Sequence, residues 1–231
     1  MNELVGKKVS TGAYRVYRKD RLIKTNGELA TTKEKAIWLD KGINNENGKE
    51  ILNELFGKPT FDFPKSPALI KKCINLSTKK NEAIILDFFA GSGTTAQAVF
   101  ELNNEDGGNR RFILCTNNED NNGSGLKIAH DICYPRIKKV IKNLENEAKG
   151  KLVQNMPGNL KYYKTDFVDA EPTDKNKRKL VDKSTEMLCL KEDCFNEIKK
   201  ESHYRIFKNS HDKYLGIIYD DEGIDSFKKE A

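Results

Sequence analysis

The sequence is sparing with several residues from which functional sites are commonly built. It holds one tryptophan, three histidines, three methionines and six prolines, with no two prolines adjacent. Five cysteines (Cys73, Cys115, Cys133, Cys189 and Cys194) fall in no paired pattern. The step from Cys189 to Cys194 is wider than the close pair of a zinc site, and no second pair exists. Even with His203 or His211 nearby in sequence, free structural thiols are therefore expected and no metal site. Irregular cysteine usage without a secretory leader points to a reducing, cytoplasmic setting. No apolar run approaches the roughly 20 residues of a membrane span, and no internal repeat is present. What the chain has in quantity is charge, 33% of residues, with Lys+Arg 41 against Asp+Glu 35. The resulting +6 is a mild basic bias compatible with nucleic acid.

The stretch Ile84-Ile85-Leu86-Asp87-Phe88-Phe89-Ala90-Gly91-Ser92-Gly93-Thr94-Thr95 organises the rest. Its short apolar run reads as a strand buried on both faces, as in a parallel sheet. A small-residue turn follows, and the chain from Thr94 to Leu102 reads as helix. Strand, glycine turn and helix in that order form a site for a nucleotide-like ligand, because glycine admits close backbone approach and helix N–H groups point at the ligand.

Residue types separate the ligand classes. A phosphate loop of the Walker type needs a Lys after its last Gly, and Thr94 stands there. Gly91-x-Gly93-x-x-Ala96 matches the loose dinucleotide fingerprint, a weak signal alone. Asp87 argues for another ligand, since a carboxylate at a strand tip repels pyrophosphate but suits an ammonium or sulfonium group. The second strand, Arg111 to Thr116, ends without the Asp or Glu that a dinucleotide enzyme uses on its ribose.

Asp87 to Thr95 resembles the cofactor motif of amino-methylating DNA methyltransferases. Phe61-Asp62-Phe63-Pro64-Lys65-Ser66 resembles the partner motif that precedes it in the permuted class. Together with Gly107 to Leu114 and Leu160 to Phe167, these motifs resemble the modification subunit of type III restriction-modification systems over most of the chain after about Ile37. The resemblance implies an S-adenosylmethionine site. It assigns contacts to Phe61, Asp62, Lys65 and Ser66, which lie across the adenosine and methionine parts, and to Asp87, Phe88, Phe89, Ala90, Gly91, Ser92, Gly93, Thr94 and Thr95. Asn117, at the tip of the second strand, is the candidate for the ribose by its place alone. It implies an α/β fold, a partial Rossmann-like methyltransferase sheet, with a small α+β C-terminal extension.

The organisation expected is 1–35 as the tail of a target-recognition region, 36–150 as the cofactor-binding half and 151–231 as the extension. In the first part, Tyr14-Arg15-Val16-Tyr17-Arg18 and Arg21-Leu22-Ile23-Lys24 read as a basic hairpin turning at Lys19-Asp20. Gly42 to Gly48 reads as a polar loop and Lys49 to Phe56 as a helix, with Trp38 a buried anchor. Ser66 caps a helix with Pro67 at its first position and Leu69, Ile70, Cys73, Ile74 and Leu76 on one face. Ser124 opens a helix that Pro135 restarts, and sheet packing accounts for its apolar stripe; Tyr134-Pro135-Arg136 also resembles an element of the family. Residues 151–159 read as a linker and Leu160 to Phe167 as a strand. The charged run Asp169 to Lys179, with a basic cluster at Lys175, Lys177, Arg178 and Lys179, reads as a solvated loop or helix face. Leu180 to Lys200 reads as helix, Tyr204 to Tyr219 as a hairpin and Glu222 to Glu230 as a last helix.

The family's catalytic tetrapeptide, an acidic or polar residue, two prolines and an aromatic, is missing, since no Pro-Pro pair occurs. That motif holds the amine of a flipped adenine. The resemblance thus implies the cofactor-binding C-terminal portion of a site-specific adenine methyltransferase, inactive alone and with no catalytic residue of its own. Its implied partners are double-stranded DNA, the rest of the modification subunit, a second copy in a homodimer and the restriction subunit. Two alternatives remain at this point: a nicotinamide-dinucleotide oxidoreductase domain, or a non-catalytic DNA-binding or docking fragment.

Overall fold

A computed structural model describes residues 4–18, 23, 26–27, 33–148 and 158–230. The chain divides into two compact units, Met1–Lys161 and Tyr162–Ala231.

The first unit opens with strands β1 (Leu4–Lys8) and β2 (Tyr14–Arg18), paired antiparallel with Leu4 opposite Arg18 and Lys8 opposite Tyr14. Gly12, at φ +83, supplies the left-handed residue of the Val9–Ala13 turn between them. The partner expected for Tyr14–Arg18, the stretch from Arg21, falls mostly outside the described residues. Lys19, Asp20, Arg21, Leu22 and Lys24 lie outside the described residues.

Helix α1 (Asn45–Phe56) begins within what reads as a polar loop, because Asn44 caps it by accepting from the Asn47 backbone N–H at 2.9 Å. Gly57, left-handed at φ 71, stops it. Helix α2 (Pro67–Ser77) starts as the sequence implies, with Ser66 accepting from the Ala68 N–H at 3.2 Å and Pro67 at the first position. Ile74 is buried on its inner face, but Leu76 is 52% exposed and leaves that face. Trp38 is half-buried, with the Lys72 ammonium 5.0 Å from its ring centroid.

Strand β3 (Ile84–Asp87), helix α3 (Thr94–Asp106) and strand β4 (Arg111–Leu114) form a strand-helix-strand unit, with β3 and β4 parallel and Ile85 opposite Phe112. The expectation that β3 is buried on both faces is corrected. Ile85 packs with Ile74, Ala98, Val99, Leu102 and Phe112 against α2 and α3, while Ile84 (56%) and Leu86 (61%) face outward. The side-chain period of two puts alternate residues on opposite faces, and helices cover one face alone.

After β4 the expected helix from Ser124 does not form. Gly123 and Gly125, at φ +76 and +75, bend residues 120–127 into a loop closed by a bridge from Asp120 to Lys127. A π-helix (Ile128–Cys133) then runs straight into α4 (Tyr134–Ala148). Ala129, Ile132, Cys133, Arg136, Ile137 and Val140 are the buried residues of this stretch.

In the second unit, helix α5 (Asp174–Glu192) starts six residues before the expected Leu180, because Thr173 caps it, accepting from the Asn176 N–H at 3.2 Å. It stops at Asp193 in the left-handed region rather than running to Lys200. Asn196–Lys200 is instead strand β5, paired antiparallel with β6 (Tyr204–Lys208), which pairs with β7 (Tyr214–Ile218) as the hairpin reading expected. Leu160 to Phe167, expected as a strand, forms no strand ladder with the described residues, and an alternating pattern becomes a strand only where it pairs with an edge. A 3-10 turn (Asp221–Gly223) and helix α6 (Ile224–Lys228) end the unit. Cys189 and Cys194 are in no disulfide and lie in its core with Phe207, Ile217 and Tyr219. Among the described residues, no helix is long and apolar enough to cross a membrane.

Candidate functional site

The turn between β3 and α3 is shaped by its own backbone. The Ala90 N–H donates to the Cys115 carbonyl at 3.0 Å, and the Gly93 N–H to the Ala90 carbonyl at 2.8 Å. Gly91 and Gly93 have φ of +50 and +79, which other residues adopt at a cost. Gly93 is the N-cap of α3 and no side chain caps that helix end, so the first-turn N–H groups meet no protein side-chain acceptor in the usual capping position. Asp87 closes the strand half-buried: its Oδ1 accepts from the Phe89 N–H at 3.1 Å and its Oδ2 from the Thr95 hydroxyl at 2.5 Å.

The segment from Phe61 to Ser66 is laid against this turn by three elements. Gly48 in α1 fits so tightly that an added Cβ would lie 2.3 Å from the Pro64 carbonyl oxygen. Ser66 is fully buried, its Oγ against the Gly42 carbonyl and 3.0 Å from the Asn47 side-chain oxygen. From α3, the Thr94 hydroxyl donates to the Lys65 carbonyl at 3.2 Å. The loop after β4 completes the clip, with Asn121 Nδ2 donating to the Thr60 carbonyl (3.2 Å) and Asn122 Nδ2 to the Asp62 carboxylate (2.6 Å). The Phe61 ring lies over Gly91, 3.5 Å from where its Cβ would be.

Between segment and turn is a cavity of about 350 Å³. From the segment it is lined by Phe61, Asp62, Phe63, Pro64 and Lys65, from α2 by Ile70, and from the turn by Asp87, Phe89, Ala90, Gly91, Ser92, Thr94 and Thr95. Asn121 and Asn122 close it. Of the residues singled out in sequence, Ser66, Phe88, Gly93 and Asn117 do not line it: Ser66 and Gly93 support it from behind, and Phe88 and Asn117 are exposed. Two carboxylates on one cavity, with aromatic rings and an uncapped helix end, can hold a molecule that is cationic at one place, flat and apolar at another, and hydrogen-bonding at a third.

Sequence reading missed Asn121 and Asn122, which fall in a loop whose fold depends on two left-handed glycines. It also missed Arg136, which is fully buried under the turn. Its signal was there: Arg136 sits four residues after Ile132 and four before Val140, on the buried stripe of the helix. Burial pushes its guanidinium down to about 10, and burial pushes the neighbouring Cys133 thiol up to about 11.

Residues 6–122, half of the 231, match the DNA methylase family. The chain belongs to that family. The dinucleotide-oxidoreductase alternative is thereby set aside. Among relatives, the Mod subunit of the type III restriction-modification enzyme StyLTI of Salmonella typhimurium is 49% identical over 109 residues, 45% of this chain and 16% of its own length. The EcoPI Mod subunit of Escherichia phage P1 is 38% identical over 133 residues, 55% of this chain and 20% of its own. The type II methyltransferase M.KpnI of Klebsiella pneumoniae is 38% identical over 117 residues, 48% of this chain and 28% of its own. The chain thus spans between a sixth and somewhat over a quarter of these relatives' lengths.

Proposed function

We propose that this chain is the S-adenosylmethionine-holding part of a type III DNA adenine methyltransferase, working with further residues that supply the catalytic motif. The observation that carries the reading is the cavity that the Phe61–Lys65 segment shares with the glycine turn, with Asp62 and Asp87 both on its wall. Asp62 and Asp87 suit the ligand's cationic centres, Phe61 and Phe89 its base, and Lys65 and the turn its polar ends. When bound, S-adenosylmethionine supplies the methyl group. The residues of this chain fix its place; the exocyclic amine of a flipped adenine must then be presented in line, which is where proximity contributes most.

The other parts follow from the same reading. The β3–α3–β4 unit belongs to a larger Rossmann-like sheet completed by other residues of a modification subunit. The outward apolar residues Ile84, Leu86 and Ile113, on a sheet of two strands, support this. The β1–β2 hairpin carries Lys7, Lys8, Arg15 and Arg18 and no acidic residue between Leu4 and Arg18, and Tyr14 is 71% exposed. Such a hairpin suits DNA phosphates with base or sugar contacts from the rings. The relatives are by name Mod subunits of restriction-modification enzymes, which supports a restriction subunit as partner; a cytoplasmic setting and a homodimer complete the proposal.

Calorimetric titration of the full chain with S-adenosylmethionine tests the reading, repeated on Asp62→Asn and Asp87→Ala. Heat in the parent chain and its loss in both variants is expected; equal heat in all three overturns it. No labelled methyl group is expected to reach DNA from the chain alone, and transfer would show that catalysis does not depend on residues outside it.

A further inference from the structure

Arg136 is a buried cation with no carboxylate on it among the described residues. Its Nε and Nη2 donate to Gln97 Oε1 at 3.0 and 2.8 Å, and its Nη1 to Ser92 Oγ (2.9 Å), the Ser92 carbonyl (3.3 Å) and Thr94 Oγ1 (2.8 Å). Gln97 Nε2 in turn donates to Glu101 at 2.9 Å, which fixes the amide's orientation and leaves Glu101, already paired with Lys71 at 3.0 Å, one side chain removed from the guanidinium. A positive charge beneath a helix N-terminus adds to the helix's own positive end instead of offsetting it. Helix electrostatics therefore do not account for an arginine here.

Proton counting says what it does. A guanidinium only donates, so Ser92 and Thr94 must accept from it. Thr94 spends its proton on the Lys65 carbonyl. Among the described residues the Ser92 proton has only the long 3.4 Å approach to Thr94 Oγ1, and Ser92 lines the cavity. We infer that Arg136 is a positioning residue that turns the Ser92 hydroxyl into the cavity as a donor for a carboxylate on the ligand. The inference rests on the function proposed above and deepens it. The site is bipolar, with Asp62 and Asp87 for the ligand's cationic groups and the Arg136-backed turn for its anionic one.

The test compares two ligands on the full chain by calorimetry: S-adenosylhomocysteine, which carries an amino-acid carboxylate, and 5′-methylthioadenosine, which lacks it. Ser92→Ala should weaken the first about tenfold, the loss of one hydrogen bond to a charged group, and the second less than about twofold. Arg136→Gln should show the same selectivity, and the double variant should bind no more weakly than Arg136→Gln alone. Arg136→Lys, which keeps the charge but not the forked donors, should fall between. Should Arg136→Gln fail to fold, Ser92→Ala and Arg136→Lys decide. Equal weakening of both ligands, or additive losses in the double variant, overturns the inference while leaving the proposed function standing. Absence of heat from both ligands with the unaltered chain overturns the function, and the inference with it.

Discussion

The two units bury different things. The C-terminal unit has an ordinary core of Cys189, Cys194, Phe207, Ile217 and Tyr219, and its one strongly buried polar side chain among the described residues is Thr185, satisfied by the Tyr219 hydroxyl at 2.8 Å. The first unit buries Ser66, Ser92, Thr94, Thr95, Gln97, Asn121 and Arg136, all around one cavity. Taking polar groups from water is favourable only when each finds a partner, and seven such residues in one place constrain geometry more than they add stability. Where a fold buries polarity in a cluster, it is holding a shape for something else.

Equivalent glycine changes should separate the two regions most sharply. At Gly48 an added methyl meets backbone, at 2.3 Å from the Pro64 oxygen and 2.9 Å from the Lys65 oxygen, which cannot swing aside. Gly48→Ala should cost about 1–3 kcal/mol in a denaturant melt, outweighing the roughly 1 kcal/mol that alanine gains in a helix, and should abolish the heat of S-adenosylmethionine binding. At Gly216 the obstacle is the Phe227 ring, 2.2 Å away. Gly216→Ala should destabilise the chain and leave ligand heat unchanged. Loss of ligand heat from Gly216→Ala would break the comparison.

A smaller effect is expected at the cavity rim. Phe89 is 87% exposed yet lines the cavity. Phe89→Ala should weaken S-adenosylmethionine several-fold, with a stability change within about 0.5 kcal/mol. Affinity and stability falling together would mean that the ring serves the fold.

The smallest effect lies in acid. The His203 ring, with Nδ1 2.7 Å from Asp220, holds the Asp220 carboxyl below its ordinary value. A carboxyl with a depressed folded pKa contributes stability above its unfolded value near 3.8 and loses it as pH falls through the lower folded value. Chemical melts between pH 5 and 2.5 should therefore show Asp220→Asn losing less than the parent chain over that range. Identical slopes would remove the pair from the account.

Local signals carried most of what was legible in the sequence. The turn from Asp87 to Thr95, the Ser66-Pro67 helix start and the β6–β7 hairpin each lie within about a dozen residues, so propensity and turn chemistry decide them. Pairing across distance was less legible. The pairing of Tyr14–Arg18 with Leu4–Lys8 turns on the left-handed Gly12 and was not read from the alternation of the strands. Asn196–Lys200 alternates too little to read as a strand, and pairing with β6 makes it one. At the cavity, the residues on the two motifs could be named from type and spacing. Asn121 and Asn122 could not, because what brings them there is a loop closed by Gly123 and Gly125. Arg136 shows in the sequence as a charge on an apolar stripe, but what it lies under depends on the π-turn ahead of its helix.

That π-turn holds one residue of slack ahead of α4. Each residue of an α-helix advances the side chain by about 100°, and a π-turn takes one more residue than an α-turn to come round. Deleting a single residue between Ile128 and Cys133 would let the stretch close as α-helix with almost the same total rotation, leaving the guanidinium beneath the glycines. Deleting Pro135 instead has no slack to draw on: it would swing the rest of α4 by about a quarter-turn and bring Ile137 where Arg136 stands. Whether a residue is lost before the helix settles or after thus decides whether a distant loop keeps its shape.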